Sequence, residues 1–118
     1  MNTEPIKGFS DYSGEDAIKR AKIKKIIEET FELYGFEPAE TPVIENEEFV
    51  LGNNQNDEAV SDRYKLEDKG KRKLALRSEF TFQLKRLAKN KKLPYSNHQN
   101  GHAFRAEPPG GNRVRQIT

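Results

Sequence analysis

Gly35, Pro38 and Pro42 divide the chain into two unlike parts, and no other feature constrains its fold as much. Before the break, Ile23, Ile26, Ile27, Thr30, Phe31 and Tyr34 recur at the three-and-four spacing of one helix face, which predicts an amphipathic helix from about Gly14 to Tyr34. Ser13, three residues before Asp16, is placed to cap its first amides, and Gly35 can take the left-handed conformation that ends it. After the break the two prolines exclude a helix interior and favour an extended path, with a short strand around Pro42 to Ile44.

The rest alternates strand-length runs with turn residues. Gly52 to Asp62 has the Gly, Asn and acid content of a surface loop. Arg63 to Glu67 and Lys73 to Arg77 read as two strands joined across Asp68 to Lys71, with Leu74 and Leu76 on one face and Arg77 on the other. Phe80, Leu84, Leu87 and Ala88 return to helical spacing, predicting a second helix from about Phe80 to Lys91. Asn97 to Glu107 reads as a strand, Pro108 to Asn112 as a turn, and Arg113 begins a strand running to Thr118. The expected class is α+β, helices flanking an antiparallel sheet. Leu, Ile, Val and Phe make up 22% of the 118 residues, barely above the roughly 20% below which chains tend to stay disordered. The core should be thin, and the uncovered last strand suggests a domain incomplete at its carboxyl end.

With no cysteine there is no disulfide framework, thiolate metal site or cysteine nucleophile, and a reducing cytoplasm is the expected compartment. No apolar run approaches a membrane span. Lys and Arg number 21 against 19 Asp and Glu, yet Arg63 to Lys92 holds 12 basic and 3 acidic residues. That block could attract RNA as a small basic binding module, or Lys85, Arg86, Lys89, Lys91 and Lys92 could simply solvate a helix. His98 and His102 on one strand would stand about 13 Å apart at 3.3 Å per residue, too far to share an ion, so no metal site is expected. Walker, dinucleotide and nucleophile-elbow signatures are absent.

Charged residues at strand ends remain: Arg77 and Glu79, Arg105 and Glu107, Arg113 and Arg115. Residues two apart share a strand face, and a hairpin would bring Arg105 and Glu107 toward Arg113 and Arg115. An arginine fork suits phosphate and carboxylate oxygens, and a glutamate beside it can accept from an amino group. The same pattern also serves as a cross-strand ion-pair ladder.

Several segments occur in order: Lys7-Gly8-Phe9-Ser10-Asp11-Tyr12, Glu32 to Pro38 leading into Glu40-Thr41-Pro42, Leu74-Ala75-Leu76-Arg77-Ser78-Glu79-Phe80-Thr81, Gly101 to Glu107, and Arg113 to Thr118. In that order the chain resembles the amino-terminal part of a histidyl-tRNA synthetase, a class II aminoacyl-tRNA synthetase. The resemblance implies a class II catalytic domain with motif 1 at about 14–45 and motif 2 at about 98–118, and without motif 3 or the anticodon-binding domain. It implies histidine, ATP with Mg²⁺, and tRNA(His) as substrates and partners, and a homodimer formed through motif 1.

By that resemblance Glu79, Phe80 and Thr81 bind histidine, with Glu79 and Thr81 on its amino group. Arg105 touches the ATP α-phosphate and the histidine carboxylate, Glu107 lies on the adenine side, and Arg113 meets the terminal phosphates. Ser78 stands where the family commonly has proline, and Pro108-Pro109 where it has arginine then proline. The resemblance extends to a non-catalytic, histidine-sensing paralogue like the regulatory subunit of ATP phosphoribosyltransferase.

Overall fold

The computed structural model describes residues 1–51, 63–92, 95–106 and 115–118. The expected loop at 52–62, the turn at Pro108 to Asn112, Glu107 and Arg113 lie outside the described residues.

Helix α1 spans Gly14–Leu33. Ser13 takes the extended backbone of an N-cap, but its hydroxyl makes no capping bond. Glu15 and Asp16 instead place negative charge in the first turn, against the positive end of the helix dipole. The stop is as expected: Gly35 has φ +82°, its N–H donates to the Glu32 carbonyl at 3.0 Å, and the Phe36 N–H reaches the Phe31 carbonyl at 3.0 Å. Together these bonds form a Schellman ending. No residue of α1 is buried, and Ile23, Ile26 and Ile27 remain 58%, 62% and 43% exposed. The helix has its apolar stripe, but the described residues leave much of it open; at its carboxyl end the Phe31 ring stacks on His98 at 5.1 Å and meets Phe36 edge-on at 5.3 Å, and nearer its start Arg20 donates to the Thr118 hydroxyl at 3.1 Å.

Beyond the helix, β1 (Glu37–Pro38) leads to β2 (Ile44–Asn46), and α2 (Glu47–Leu51) follows directly. The strand expected at Pro42 to Ile44 therefore starts two residues later. Pro42 has no N–H to give a ladder, while the Val43 carbonyl still accepts the Arg77 N–H at 2.9 Å. Strands β3 (Lys65–Glu67) and β4 (Lys73–Leu76) form the expected hairpin, and β2, β4 and β3 make an antiparallel sheet in that order. Ile44 faces Leu76 and Leu66 faces Leu74. In the turn, Lys71 takes the left-handed conformation at φ +60°, and Asp68 holds the turn by accepting the Arg72 N–H at 2.8 Å.

The two faces of β4 divide as expected, and the face that Arg77 shares is the more deeply buried one. Ala75 is fully buried and Arg77 nearly so, while Leu74 and Leu76 are half-buried. Residues 75 and 77 share a strand face, so the side that takes Ala75 inward takes Arg77 with it. Helix α3 (Thr81–Ala88) is shorter than expected at both ends, and its buried residue is Gln83; Leu84, Leu87 and Ala88 are half-buried.

The strand expected from Asn97 to Glu107 divides into β5 (Asn97–His98) and β6 (Ala103–Phe104). Strand β5 pairs with β1 in parallel, and β6 pairs with β7 (Gln116–Ile117) antiparallel. The class is α+β with antiparallel sheets, the β1–β5 pair excepted. Buried apolar residues among those described are Val50, Ala75 and Ala103, beside five buried polar ones: Glu45, Arg77, Ser78, Gln83 and His98. Polar bonds must therefore supply much of the definition of this interior.

Candidate active site

Strand β4 ends at Leu76, and the chain then runs through Arg77, Ser78, Glu79 and Phe80 into α3. The Arg77 carbonyl accepts the Phe104 N–H at 2.9 Å, and this bond joins the segment to the end of β6. Arg105 follows immediately; its own N–H donates to the Arg115 carbonyl at 2.9 Å. One main-chain ladder thus brings the Glu79 segment and the Arg105 strand together.

Glu79 is half-buried, and its Oε1 is buried without a hydrogen-bond partner among the described residues. Phe80 lies under the Arg77 guanidinium, 4.8 Å from ring centre to cation, and Thr81 is exposed at the start of α3. Arg105 is exposed at the end of β6. A half-buried carboxylate and an exposed guanidinium stand on adjoining segments, groups able to meet an ammonium and a carboxylate respectively. The cavity bounded by Glu45, Phe49, Arg77, Glu79, Phe82 and Gln83 is only about 10 Å³, room for one water, so these residues do not enclose an amino acid by themselves.

The other expected residues divide. Arg115 turns to the amino-terminal segment: its N–H donates to the Gly8 carbonyl at 2.8 Å and its guanidinium to the Lys7 carbonyl at 3.3 Å. A Cβ on Gly8 would lie 2.6 Å from the Arg115 side chain, so Arg115 anchors Lys7-Gly8. His98 and His102 do not share a strand. His98 is buried against Phe31, whereas His102 is exposed with Nδ1 3.1 Å from the Thr118 hydroxyl.

Behind the site lies a polar network that sequence reasoning did not identify. Gln83 Nε2 donates to the Pro42 carbonyl at 2.8 Å and to Glu45 Oε1 at 3.0 Å. Its Oε1 accepts from the Thr41 hydroxyl at 3.0 Å, and that hydroxyl accepts from Gln99 Nε2 at 2.7 Å. Arg86 grips Glu45 with two bonds of 2.8 and 2.9 Å while lying over Phe49 at 4.7 Å. The bond from Arg86 holds the Glu45 carboxyl below its ordinary pKa against the opposing effect of burial, and Glu45 raises that of Arg86 in return. Burial lowers the pKa of Arg77, opposed by the charge of Glu45. Arg86 is therefore a structural partner although, like Lys85, Lys89, Lys91 and Lys92, it is exposed. The available signal was Gln83 and Arg86 three residues apart on one helix face; their partner Glu45, 38 residues from Gln83, could not be assigned by local spacing.

The comparisons agree with this geometry. A family model described as histidyl-tRNA synthetase matches residues 8–118. Histidine–tRNA ligase 1 of Bacillus anthracis is 36% identical over 121 residues, covering 99% of this chain and 28% of that protein. Histidine–tRNA ligase of Orientia tsutsugamushi is 36% identical over 125 residues, with 99% and 29% covered. Among solved structures, histidyl-tRNA synthetase from Nostoc sp. superposes with a TM-score of 0.78 at 24% identity, covering 98% of this chain and 26% of that one. A Bacillus halodurans protein described as an ATP phosphoribosyltransferase regulatory subunit/histidyl-tRNA synthetase gives 0.80 at 24%, covering 97% and 30%.

The mixed sheet-and-helix architecture is that of a class II aminoacyl-tRNA synthetase catalytic region. Within that class, the chain belongs to the histidyl-tRNA synthetase family. It spans about 28% of the length of the first relatives it matches.

Proposed function

We propose that the chain is the amino-terminal part, motifs 1 and 2, of the catalytic domain of a cytoplasmic histidine–tRNA ligase. The observation that carries this reading is the Phe104-to-Arg77 main-chain bond, which joins the Leu-Arg-x-Glu-x-Thr segment to the Phe-Arg strand. The buried Glu79 Oε1, without a partner among the described residues, supports it, because such an oxygen is costly unless a ligand or solvent supplies a donor.

In this reading Glu79 and Thr81 hold the histidine ammonium, with Phe80 beside them. Arg105 holds the histidine carboxylate and the ATP α-phosphate, Glu107 the adenine side, and Arg113 the terminal phosphates; Mg²⁺ arrives with ATP. A histidine carboxylate oxygen attacks the α-phosphorus, the bond from that phosphorus to the bridging oxygen breaks, and pyrophosphate leaves with its electron pair. The carboxylate is already ionised at neutral pH, so no protein base is required. Arg105 draws the reactants together and offsets the negative charge between them. The histidyl group then passes from the adenylate to tRNA(His). The small cavity at Glu79 implies that the rest of a full-length ligase completes the pocket. The exposed Ile23, Ile26 and Ile27 stripe suits the homodimer contact of motif 1.

A hybrid tests the activity: residues 8–118 replace the matching stretch of the Bacillus anthracis ligase. Histidine-dependent exchange of pyrophosphate into ATP is the expected result. The Bacillus halodurans likeness favours a second reading, a histidine-sensing protein without ligase activity. A folded hybrid that binds histidine but exchanges no pyrophosphate would decide for that alternative.

A further inference from the structure

Arg77 is among the most buried charges described, at 6% exposure, and no role in the proposed chemistry uses it. Its Nε donates to the His102 carbonyl at 2.6 Å and its Nη1 to the Thr41 carbonyl at 2.9 Å. The third nitrogen lies against Gly101: a Cβ built there would stand 2.6 Å from Nη2 and 3.5 Å from the Phe80 ring. Phe80 stacks beneath the guanidinium, and the Arg77 carbonyl takes the Phe104 N–H. The side chain thus bonds the loop before β2 and the loop before β6, while its own backbone leads into Glu79 and Thr81. Lysine cannot do this, since one ammonium cannot meet carbonyls that a planar fork reaches in two directions.

We propose that Arg77 is a positioning residue that fixes the spacing between the Glu79–Thr81 segment and the Gly101–Arg105 segment, and that Gly101 is glycine to admit its guanidinium. The proposal rests on the ligase reading only in assigning those two segments to opposite ends of one amino acid. The buried fork and the close approach at Gly101 stand without it. A side chain at Gly101 would need the guanidinium to shift, breaking bonds to His102 and Thr41, so the two residues should act as one device.

The test uses the 118-residue chain, followed by amide NMR in the wild type, Arg77→Lys, Gly101→Ala and the double variant. Each single change should move the amide signals of Glu79, Phe80 and Thr81 together with those of Phe104 and Arg105, leaving Ile18 and Leu66 in place. Exchange of the Phe104 amide should quicken about 10-fold, as expected when a local opening becomes easier. In the double variant the alanine should add little, because lysine has already vacated the space. Additive effects, or changes confined to one segment, would overturn the proposal. If Arg77→Lys loses its dispersed spectrum, Gly101→Ala with intact Arg77 still decides whether both segments move.

L-Histidine is the probe in the second arm, added to the hybrid ligase, whose remaining segments complete the pocket. In the wild type it should shift both segments; in Arg77→Lys it should shift Glu79 and Thr81 alone, with affinity weaker by about 10-fold, the scale of one charged hydrogen bond. A merely structural Arg77 would leave both segments responding with unchanged affinity in the molecules that remain folded, which would also overturn it. If the wild type ignores histidine while the coupling is present, the assignment of histidine to these segments fails and the positioning role stands.

Discussion

Replacing Arg86 with leucine removes a cation from a carboxylate that has little access to water. Glu45 is 9% exposed and takes two bonds from Arg86, while the Arg86 side chain is 40% exposed. Breaking a fully buried pair costs about 3 to 5 kcal/mol. An exposed pair is worth up to about 1 kcal/mol. This pair lies between those limits, and Gln83 still satisfies one Glu45 oxygen after the change, so about 2 kcal/mol is expected at pH 7. With a urea slope near 1.5 kcal/mol per molar, the unfolding midpoint should fall by roughly 1.3 M.

The pH dependence separates charge from packing. Because the folded pKa of Glu45 is lowered, chiefly by the Arg86 bond, its ionised form adds stability at pH above its unfolded pKa, and that stability is lost as pH falls through the folded value. Arg86→Leu removes the main lowering influence and leaves burial to raise the pKa, so the gap between the two proteins should shrink to well under about 1 kcal/mol near pH 3. Urea titrations of both chains at the two pH values measure it. A gap of equal size at both would refute the electrostatic reasoning and assign the loss to packing on Phe49.

In the hybrid ligase, Glu79→Ala should weaken histidine by about 1.5 to 3 kcal/mol and ATP much less, from the loss of a charged hydrogen bond; separate KM values report it, and equal losses would make Glu79 structural. Arg105→Lys should lower kcat by about 10² to 10³ with a smaller change in KM, since one ammonium cannot serve oxygens of two substrates; normal pyrophosphate exchange would remove Arg105 from the catalytic residues. Gly35→Ala places a Cβ at φ +82° and should cost about 1 kcal/mol, read as a lower urea midpoint. Ile26→Asp should leave the fold of the chain intact, because Ile26 is 62% exposed, and should disrupt dimer formation by the hybrid in sedimentation.

The sequence by itself determined features that depend on neighbours along the chain. The α1 period, its stop at Gly35 and the β3–β4 hairpin follow from spacing and turn chemistry, and the ordered Leu-Arg-x-Glu-x-Thr and Phe-Arg segments marked the family. Tertiary structure decided what local spacing could not. Pairing in parallel with Glu37–Pro38 confined β5 to Asn97–His98 and left the Gly101 loop free to meet Arg77. Gln83, polar and without an apolar neighbour pattern of its own, became the buried residue of α3 because Thr41, Pro42 and Glu45 satisfy it from another segment. Spacing put Arg77 on the face opposite Leu74 and Leu76 without saying which face is buried, and the carbonyls of Thr41 and His102, 36 and 25 positions away, hold it inside. Burying a charge or an amide is favourable only when its partners arrive together, and those partners come from segments that the folded chain alone brings into reach.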